Sequence, residues 1–504
     1  MKLKPSINLV LLALIFFNAL AVSFAQSRPP AFPRLEPDKK ALDFYNLGKK
    51  ASGYSWQELA EISLWASGDT SASNLEKIRA AADTLKNAPD LPPSGKEKAE
   101  FILGFMHKNF LKTYSLTQTR VDTIFSGGRF NCVSSAVLYM ILCQSAGIET
   151  SGVMTKDHAF ITVHLGAFDY DVETTNPYGF DPGNRKEFHD NFGKLTGFTY
   201  VPARNYRDRQ TIEQIELISL IMNNRIADFE SKNNFAEAVP VAIDRAALLA
   251  GSALAVNAGT AEPQHLFEDP RSNMMDRIFN YGSMLLKSGK EEDGLRWAAF
   301  ASPVYPDATR WQEFILAAVN NNTMKLAKAG KLAEAKKFLE SQKTLLAAAD
   351  YAQLETILID TELLSNANKI RTAAEGDAVV SAIEQASASG KIEEPRAVEL
   401  RTFAIQKTAA ALCAAPARNW REAIAYLENA LSRFGERLIS KRELEQSLKT
   451  YRSNLAADYH NRFAAAFNKR NFDEAERILN DGLAEIPDDR QLLSDREAVR
   501  KVRN

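Results

Sequence analysis

The chain has few cysteines and no excess of charge of either sign. Three cysteines occur among 504 residues, Cys132, Cys143 and Cys413, and an odd number of thiols excludes a fully paired disulfide framework. Lysine and arginine total 62 and aspartate and glutamate 63, and the sequence shows no basic arm or stripe. A nucleic-acid partner is therefore not expected.

Long apolar runs are also lacking, except at the beginning of the chain. Lys2 and Lys4 precede the apolar stretch from Ile7 to Phe24, and Ser23-Phe24-Ala25 has the small-x-small pattern of a cleavage site. Residues 1–25 are therefore predicted to be a signal peptide, and the protein to be exported to the periplasm or secreted. Because this stretch approaches the length of a membrane span, an uncleaved N-terminal membrane helix is the alternative.

A length of 504 residues exceeds what one core usually contains, so two or three domains are expected. The proline-rich residues 26–40 are predicted to be a linker. Residues 41–208 mix helical and strand-like patterns. From residue 209 to residue 504 strand signals vanish, and alanine, leucine, lysine and glutamate dominate. The sequence thus predicts a domain over residues 41–208 and a helical region over residues 209–504.

Cys132 begins an apolar run of helical period that stops at Gly147, and Gly127 and Gly128 precede it. A cysteine in the first turn of a helix meets unpaired backbone N–H groups and the positive end of the helix dipole, which favour the thiolate form. Cys143 lies on the same predicted helix, roughly 16 Å along its axis, so the two cannot form a disulfide there. We interpret Cys143 and Cys413 as packing residues.

Two strand-like segments follow this helix. His158 begins the first, residues 158–165, and the second, residues 168–174, carries Asp169, Asp171 and Glu173. A thiol, a histidine and a carboxylate are the groups of a nucleophile, its base and the group that orients the base. The three carboxylates fall on one face of the strand, so alternation does not choose among them.

His164 lies on the same strand face as His158. A metal site built from His158, His164 and Cys132 lacks the spacing of ligands on a common turn. We therefore predict neither a metal nor a cofactor.

Four motifs resemble the transglutaminase-like core, a circular variant of the papain-type thiol enzymes: Gly128-Arg-Phe-Asn-Cys132, Ala146-Gly-Ile148, His158-Ala-Phe160 and Val172-Glu-Thr-Thr-Asn176. The resemblance covers roughly residues 95–190 and implies Cys132 as nucleophile, His158 as base and Glu173 as the third residue, with Asp171 in reserve. The family usually has Asp-Pro-Thr-Asn where this chain has Glu173-Thr-Thr-Asn176, and often a tryptophan in place of Phe160. Asn131 and the backbone N–H of Cys132 are candidate oxyanion donors.

A short pattern recurs in the helical region: a turn, an apolar residue, and then Glu-Ala. It occurs at Asn233-Asn-Phe-Ala-Glu-Ala238, Gly330-Lys-Leu-Ala-Glu-Ala335, Arg418-Asn-Trp-Arg-Glu-Ala423 and Arg470-Asn-Phe-Asp-Glu-Ala475. This region resembles a degenerate tetratricopeptide-type array, although the 34-residue period is not kept. Such arrays bind proteins on their concave face, so a protein partner is expected here.

These patterns predict an α+β transglutaminase-like (papain-like) core with an N-terminal helical lead-in, followed by an all-α tetratricopeptide-like solenoid. The expected function is that of an exported thiol enzyme acting on a protein or peptide substrate, by hydrolysis of a peptide or amide bond or by acyl transfer to an amine. The alternative is a catalytically silent envelope scaffold or protein-interaction module. A membrane partner is expected only if the N-terminal segment stays uncleaved.

Overall fold

The computed structural model describes residues 31–156, 158–183, 185–196, 209–251, 269–416 and 418–503. The predicted signal peptide lies outside the described residues, as do residues 26–30 of the predicted linker. The chain divides into two compact units, Met1–Ala318 and Val319–Asn504. Within the described ranges, none of the helices combines the length and hydropathy of a membrane span.

The first unit contains eleven described helices and six short strands. The helices are α1 (Lys39–Leu47), α2 (Trp56–Ala66), α3 (Ala72–Lys86), α4 (Gly95–Asn109), α5 (Asp122–Gly127), α6 (Cys132–Ser145), α7 (Lys186–Thr196), α8 (Gln214–Ser231), α9 (Phe235–Ala250), α10 (Pro270–Lys287) and α11 (Glu291–Ala301). The strands are β1 (Thr113–Tyr114), β2 (Arg129–Phe130), β3 (Glu149–Met154), β4 (Ala159–Leu165), β5 (Phe168–Val172) and β6 (Gln210–Ile212). A further helix, α12 (Ala308–Lys328), spans the division between the units.

Helix α6 is the centre of the first unit. Every residue from Cys132 to Cys143 is buried, because α6 packs against α2, α3, α4, α8 and strands β2, β3 and β4. A helix that is apolar on all sides requires this kind of enclosure. Its start is set by a reciprocal cap: the Asn131 side chain accepts from the Ser134 backbone N–H, and Ser134 Oγ accepts from the Asn131 N–H, both at 3.0 Å.

Gly128 allows the chain to turn tightly between the end of α5 and the start of α6. Its φ of +66° ends α5 in the left-handed conformation, which glycine adopts without strain. A Cβ at this position would lie 2.5 Å from Cγ of Lys112 and 3.2 Å from the carbonyl oxygen of Phe110. Any larger residue would therefore displace the segment that delivers Cys132.

A small antiparallel sheet lies beside α6 in the order β5-β4-β3-β6. Strand β4 pairs with β3 through Ser151 opposite Thr162, and with β5 through Asp171 opposite Thr162. Strands β1 and β2 form a separate parallel pair. The β4–β5 hairpin carries His158 just before its first strand and Glu173 just after its second.

The predicted α+β transglutaminase-like core is wrong: the described chain is mostly helical, and its six strands are only two to seven residues long. The alternating pattern near residues 158–174 is real, but it spans a single hairpin. Helices also complete this core from beyond the predicted boundary, because α8 packs against α2, α6 and β3. An alternating apolar pattern predicts a strand from neighbouring residues. It cannot show that a helix distant in the chain packs against that strand.

At its described end, the predicted linker, residues 26–40, is packed against other parts of the protein. The Phe32 ring lies 5.4 Å from Trp297 and 5.6 Å from Phe300, and the carbonyl of Leu35 accepts a hydrogen bond from Tyr305 at 2.7 Å. Residues 32–35 are thus packed against the helical part of the first unit. Proline-rich composition indicates an extended backbone but not whether a surface covers it.

The second unit is built of helices that pack in succession. They are α13 (Leu332–Ser341), α14 (Ala348–Lys369), α15 (Ala373–Ala388), α16 (Glu394–Cys413), α17 (Trp420–Phe434), α18 (Lys441–Asn468), α19 (Phe472–Glu485) and α20 (Arg490–Arg503). Each contacts the next one along the chain. This arrangement is typical of a solenoid of paired helices.

The recurring Glu-Ala pattern coincides with helix starts in both units. Helices α9, α13, α17 and α19 each begin at its apolar residue, and the residue two positions earlier has a positive φ in all four cases. The alanine that ends each pattern is at most 1% exposed. The pattern therefore marks a left-handed turn followed by a helix whose small residue permits close packing. The residues involved are Asn233, Gly330, Arg418 and Arg470 at the turns and Ala238, Ala335, Ala423 and Ala475 in the helices.

Candidate functional site

The structure brings three of the predicted site residues together. Cys132 is the first residue of α6, His158 precedes β4, and Glu173 follows β5. His158 Nε2 lies 2.5 Å from Glu173 Oε2, and the Cys132 side chain is near enough to His158 to help raise the pKa of the imidazole. Because Nε2 contacts Glu173, Nδ1 is the ring nitrogen left for Cys132. This connectivity is that of a nucleophile, a base and an orienting carboxylate.

The Glu173 side chain is buried, at 4% exposure, and the His158 side chain is 18% exposed. Burial alone would lower the pKa of His158, but the negative charge of Glu173 and hydrogen bonds with Cys132 and Glu173 outweigh it and hold that pKa well above its usual value. Burial would raise the pKa of Glu173, and the His158 charge together with hydrogen bonds from His158 and Thr175 holds it below its usual value. The pair thus favours a carboxylate beside an imidazolium.

The Glu173 carboxylate is fixed by the turn that follows it. Its Oε1 accepts hydrogen bonds from the Thr175 hydroxyl at 2.7 Å and from the Thr175 N–H at 3.2 Å. The Glu173 N–H donates to the Gly179 carbonyl at 2.8 Å. Residues 173–176 are all at most 4% exposed, so the carboxylate has little freedom to turn away from His158.

Asp171, the reserve third residue, has different partners. Both of its carboxylate oxygens accept hydrogen bonds from Arg209 at 2.7 Å, and Oδ1 also accepts from Thr162 Oγ1 at 2.9 Å. His164 lies further along the same face, between Ser151 at 2.9 Å and Asp169 at 2.8 Å. Within the described residues, neither Asp171 nor His164 forms a hydrogen bond with Cys132 or His158.

Asn131, the candidate oxyanion donor, holds the start of α6. Its Oδ1 accepts from the Ser134 N–H, and its Nδ2 donates to the Leu116 carbonyl at 3.1 Å. One amide hydrogen of Asn131 therefore has a partner already. The N–H groups of Cys132 and Val133 have no acceptor within the helix, because they belong to its first turn.

The other two thiols are in different surroundings. Burial raises the pKa of Cys143 to about 12, although a hydrogen bond with Tyr139 acts in the opposite direction. Burial also raises the pKa of Cys413 to about 11. At neutral pH both thiols are protonated, and a protonated thiol is a poor nucleophile.

Two residues that the sequence did not single out support the site. His107 on α4 contacts the Thr174 carbonyl through Nε2 at 3.0 Å, and burial lowers its pKa to about 4 against the raising effects of Thr174 and Glu173. Ser135, one turn after Cys132, lies 2.8 Å from the Thr174 hydroxyl. Both residues tie the turn after Glu173 to neighbouring helices. The amphipathic pattern of α4 predicted a helix, but not the element that it faces.

An open cleft of about 400 Å³ lies at the thiol. Cys132, Val133 and His158 line it, together with the exposed Leu116 and one face of α8. In the described part of the chain, no group of three or more histidine, cysteine, aspartate or glutamate residues is arranged to hold a metal ion. The cleft reaches Cys132, which is itself only 8% exposed.

Comparisons with known proteins identify neither a family nor a function for this chain. No protein-family model matches the sequence. No curated protein matches it either. Among solved structures, the crystal structure of menin, which reveals the binding site for Mixed Lineage Leukemia protein, aligns with 84% of this chain and 100% of its own chain, with 9% identity and a TM-score of 0.28. That score is too low for any conclusion about fold or function.

Proposed function

We propose that the protein is an exported thiol enzyme that cleaves or transfers an acyl group at Cys132. The observation that carries this proposal is that Cys132 and His158 line one open cleft, where His158 Nε2 lies 2.5 Å from the buried Glu173 carboxylate. Three side chains from three separate elements meet there with the connectivity that nucleophilic catalysis requires.

In the proposed reaction, Cys132 Sγ attacks the carbonyl carbon of a peptide or carboxamide and forms an acyl–sulfur bond. His158 delivers its proton to the leaving nitrogen as the carbon–nitrogen bond breaks. Water or an amine then attacks the thioester, His158 accepts the proton of that nucleophile, and Cys132 is released. Attack by water gives hydrolysis and attack by an amine gives acyl transfer.

We further propose that Glu173 orients His158 and stabilises its imidazolium form. The backbone N–H of Cys132 is proposed to donate to the oxyanion, and the second amide hydrogen of Asn131 is a further candidate donor. The hydrogen bond from Asn131 to Leu116 would then keep the carboxamide in place.

The decisive experiment measures the reactivity of the three thiols. Brief treatment with iodoacetamide at pH 7, read by peptide mass spectrometry, should label Cys132 well ahead of Cys143 and Cys413. The two raised pKa values make those thiols internal controls. A His158→Ala variant should lose the preference. Equal labelling of all three thiols, or none at Cys132, would favour the alternative function of a catalytically silent envelope scaffold.

Export and partner binding belong to the same proposal. The basic and apolar pattern of residues 1–25 supports export, and N-terminal sequencing of the protein from the periplasm or medium should then find Gln26 first. Recovery of the full-length chain with the membrane fraction would instead indicate an uncleaved anchor. The succession of helices in the second unit is compatible with binding a protein partner.

A further inference from the structure

We propose that α8 is the substrate-recognition wall of the cleft and that Asn223 hydrogen-bonds a peptide group of the substrate. This inference rests on the proposed thiol chemistry at Cys132 and adds to it the element that selects the substrate. It assigns a binding role to a helix that the sequence had placed in a separate repeat region.

One face of α8 lines the cleft. The lining residues follow helical spacing of three and four, which places them on one side of the helix: Leu220, Asn223, Asn224, Ala227, Asp228 and Ser231. The opposite side of α8 is buried and packs against α2, α6 and β3. The wall is therefore held rigidly relative to the helix that begins with Cys132.

The two neighbouring asparagines of this wall, Asn223 and Asn224, differ in their hydrogen bonding. Asn224 Nδ2 donates to Thr119 Oγ1 at 3.1 Å, so its carboxamide has a structural partner. Among the residues that the structure describes, the half-buried Asn223 carboxamide has no hydrogen-bond partner, although it faces the cleft. This carboxamide is therefore available to hydrogen-bond a ligand that enters the cleft.

The chemistry of the lining indicates a polypeptide. A carboxamide offers one acceptor and two donors, which match the N–H and C=O of a peptide group. Leu116, 62% exposed, and Leu220 provide apolar contacts beside it. Lys156 and Asp228 are the charged residues of the lining apart from the His158 site, and their charges are opposite. The lining therefore shows no excess of charge that would select a phosphorylated or polyanionic ligand.

The test uses the full chain and a tryptic digest of casein as the peptide probe. The measured quantity is the rate at which iodoacetamide alkylates Cys132, with and without the probe. Asn223→Leu keeps a similar side-chain volume and removes the hydrogen bonds. With the rate of each variant normalised to its own unprotected rate, we expect the half-protecting probe concentration of Asn223→Leu to rise about 10-fold. Asn321→Leu, at an exposed position of α12, is the matched control and should behave as the wild type.

Each outcome decides between the proposals. A change in half-protecting concentration confined to Asn223→Leu supports the inference. Equal protection of both variants, or no protection of the wild type, would overturn it and would leave the reactive Cys132 of the proposed function standing. An unreactive Cys132 in the wild type would overturn both.

Discussion

Replacement of Glu173 by glutamine tests the carboxylate of the proposed site most directly. Glutamine preserves the shape of the side chain and can still accept the Thr175 hydrogen bonds, but it removes the negative charge 2.5 Å from His158 Nε2. His158 would then lose the interaction that opposes burial, and its pKa should fall. We therefore expect Glu173→Gln to disfavour the imidazolium form of His158 and to slow the reaction of Cys132.

The magnitude follows from the geometry of the pair. With an effective dielectric constant of about 20, unit charges at this separation attract by roughly 7 kcal/mol. Desolvation of the buried pair cancels part of that attraction, and removal of one partner of a buried pair costs about 3–5 kcal/mol. A loss of this size corresponds to a decrease of roughly 10²–10⁴ in rate. The equivalent change in a well-studied serine triad costs about 10⁴.

The assay is the rate of Cys132 alkylation by iodoacetamide between pH 5 and pH 9. Alkylation of Cys132 in Glu173→Gln should be slower than in the wild type within this range. Asp171→Asn is the matched control, because Asp171 contacts Arg209 and Thr162 instead of His158. Circular dichroism of each variant verifies folding. If alkylation slows in Asp171→Asn and not in Glu173→Gln, the assignment of the third residue is wrong, and if neither changes, Cys132 and His158 act as a dyad.

Two further predictions concern the turn behind the site. Because burial lowers the pKa of His107 from 6.5 to about 4, the unfolded chain takes up its proton first as the pH falls, so stability should decrease by about 3 kcal/mol between pH 6.5 and pH 4. Urea unfolding across this range should show a smaller decrease for His107→Gln, and an identical pH dependence would contradict the assignment. A Cβ at Gly179 would lie 2.0 Å from the Glu173 carbonyl oxygen, so Gly179→Ala should cost at least about 2 kcal/mol and slow Cys132 alkylation. Gly104→Ala, which meets no atom within 4 Å, should instead stabilise α4 by about 0.5–1 kcal/mol, and equal unfolding midpoints for the two variants would refute the steric argument.

Local sequence patterns were sufficient to predict several of the helices and strands. The apolar run after Cys132 predicts the helix, and the structure confirms a start at Cys132. The four Glu-Ala patterns predict helix starts in the same way, because a left-handed turn and a capped first helical turn depend on residues only a few positions apart. The β4–β5 hairpin follows from the Gly166-Ala167 turn between two alternating segments.

The choice between Glu173 and Asp171 depended on tertiary structure. Both residues have the same strand parity, so alternation treats them as equivalent. In the fold, Arg209 binds Asp171, and the buried turn after β5 directs Glu173 to His158. Arg209 lies 38 residues from Asp171 in the chain, and no local pattern relates the two.

Three features could be predicted from the sequence: where helices begin, which of their faces are apolar, and which cysteine begins the central helix. Each of these depends on the backbone geometry of a few consecutive residues. Only the tertiary structure decided that helices, rather than an α+β core, enclose α6, that residues 32–35 pack on the first unit, and that α8 lines the cleft at Cys132. An apolar face requires burial, but the surface that buries it comes from a distant part of the chain and is selected by packing.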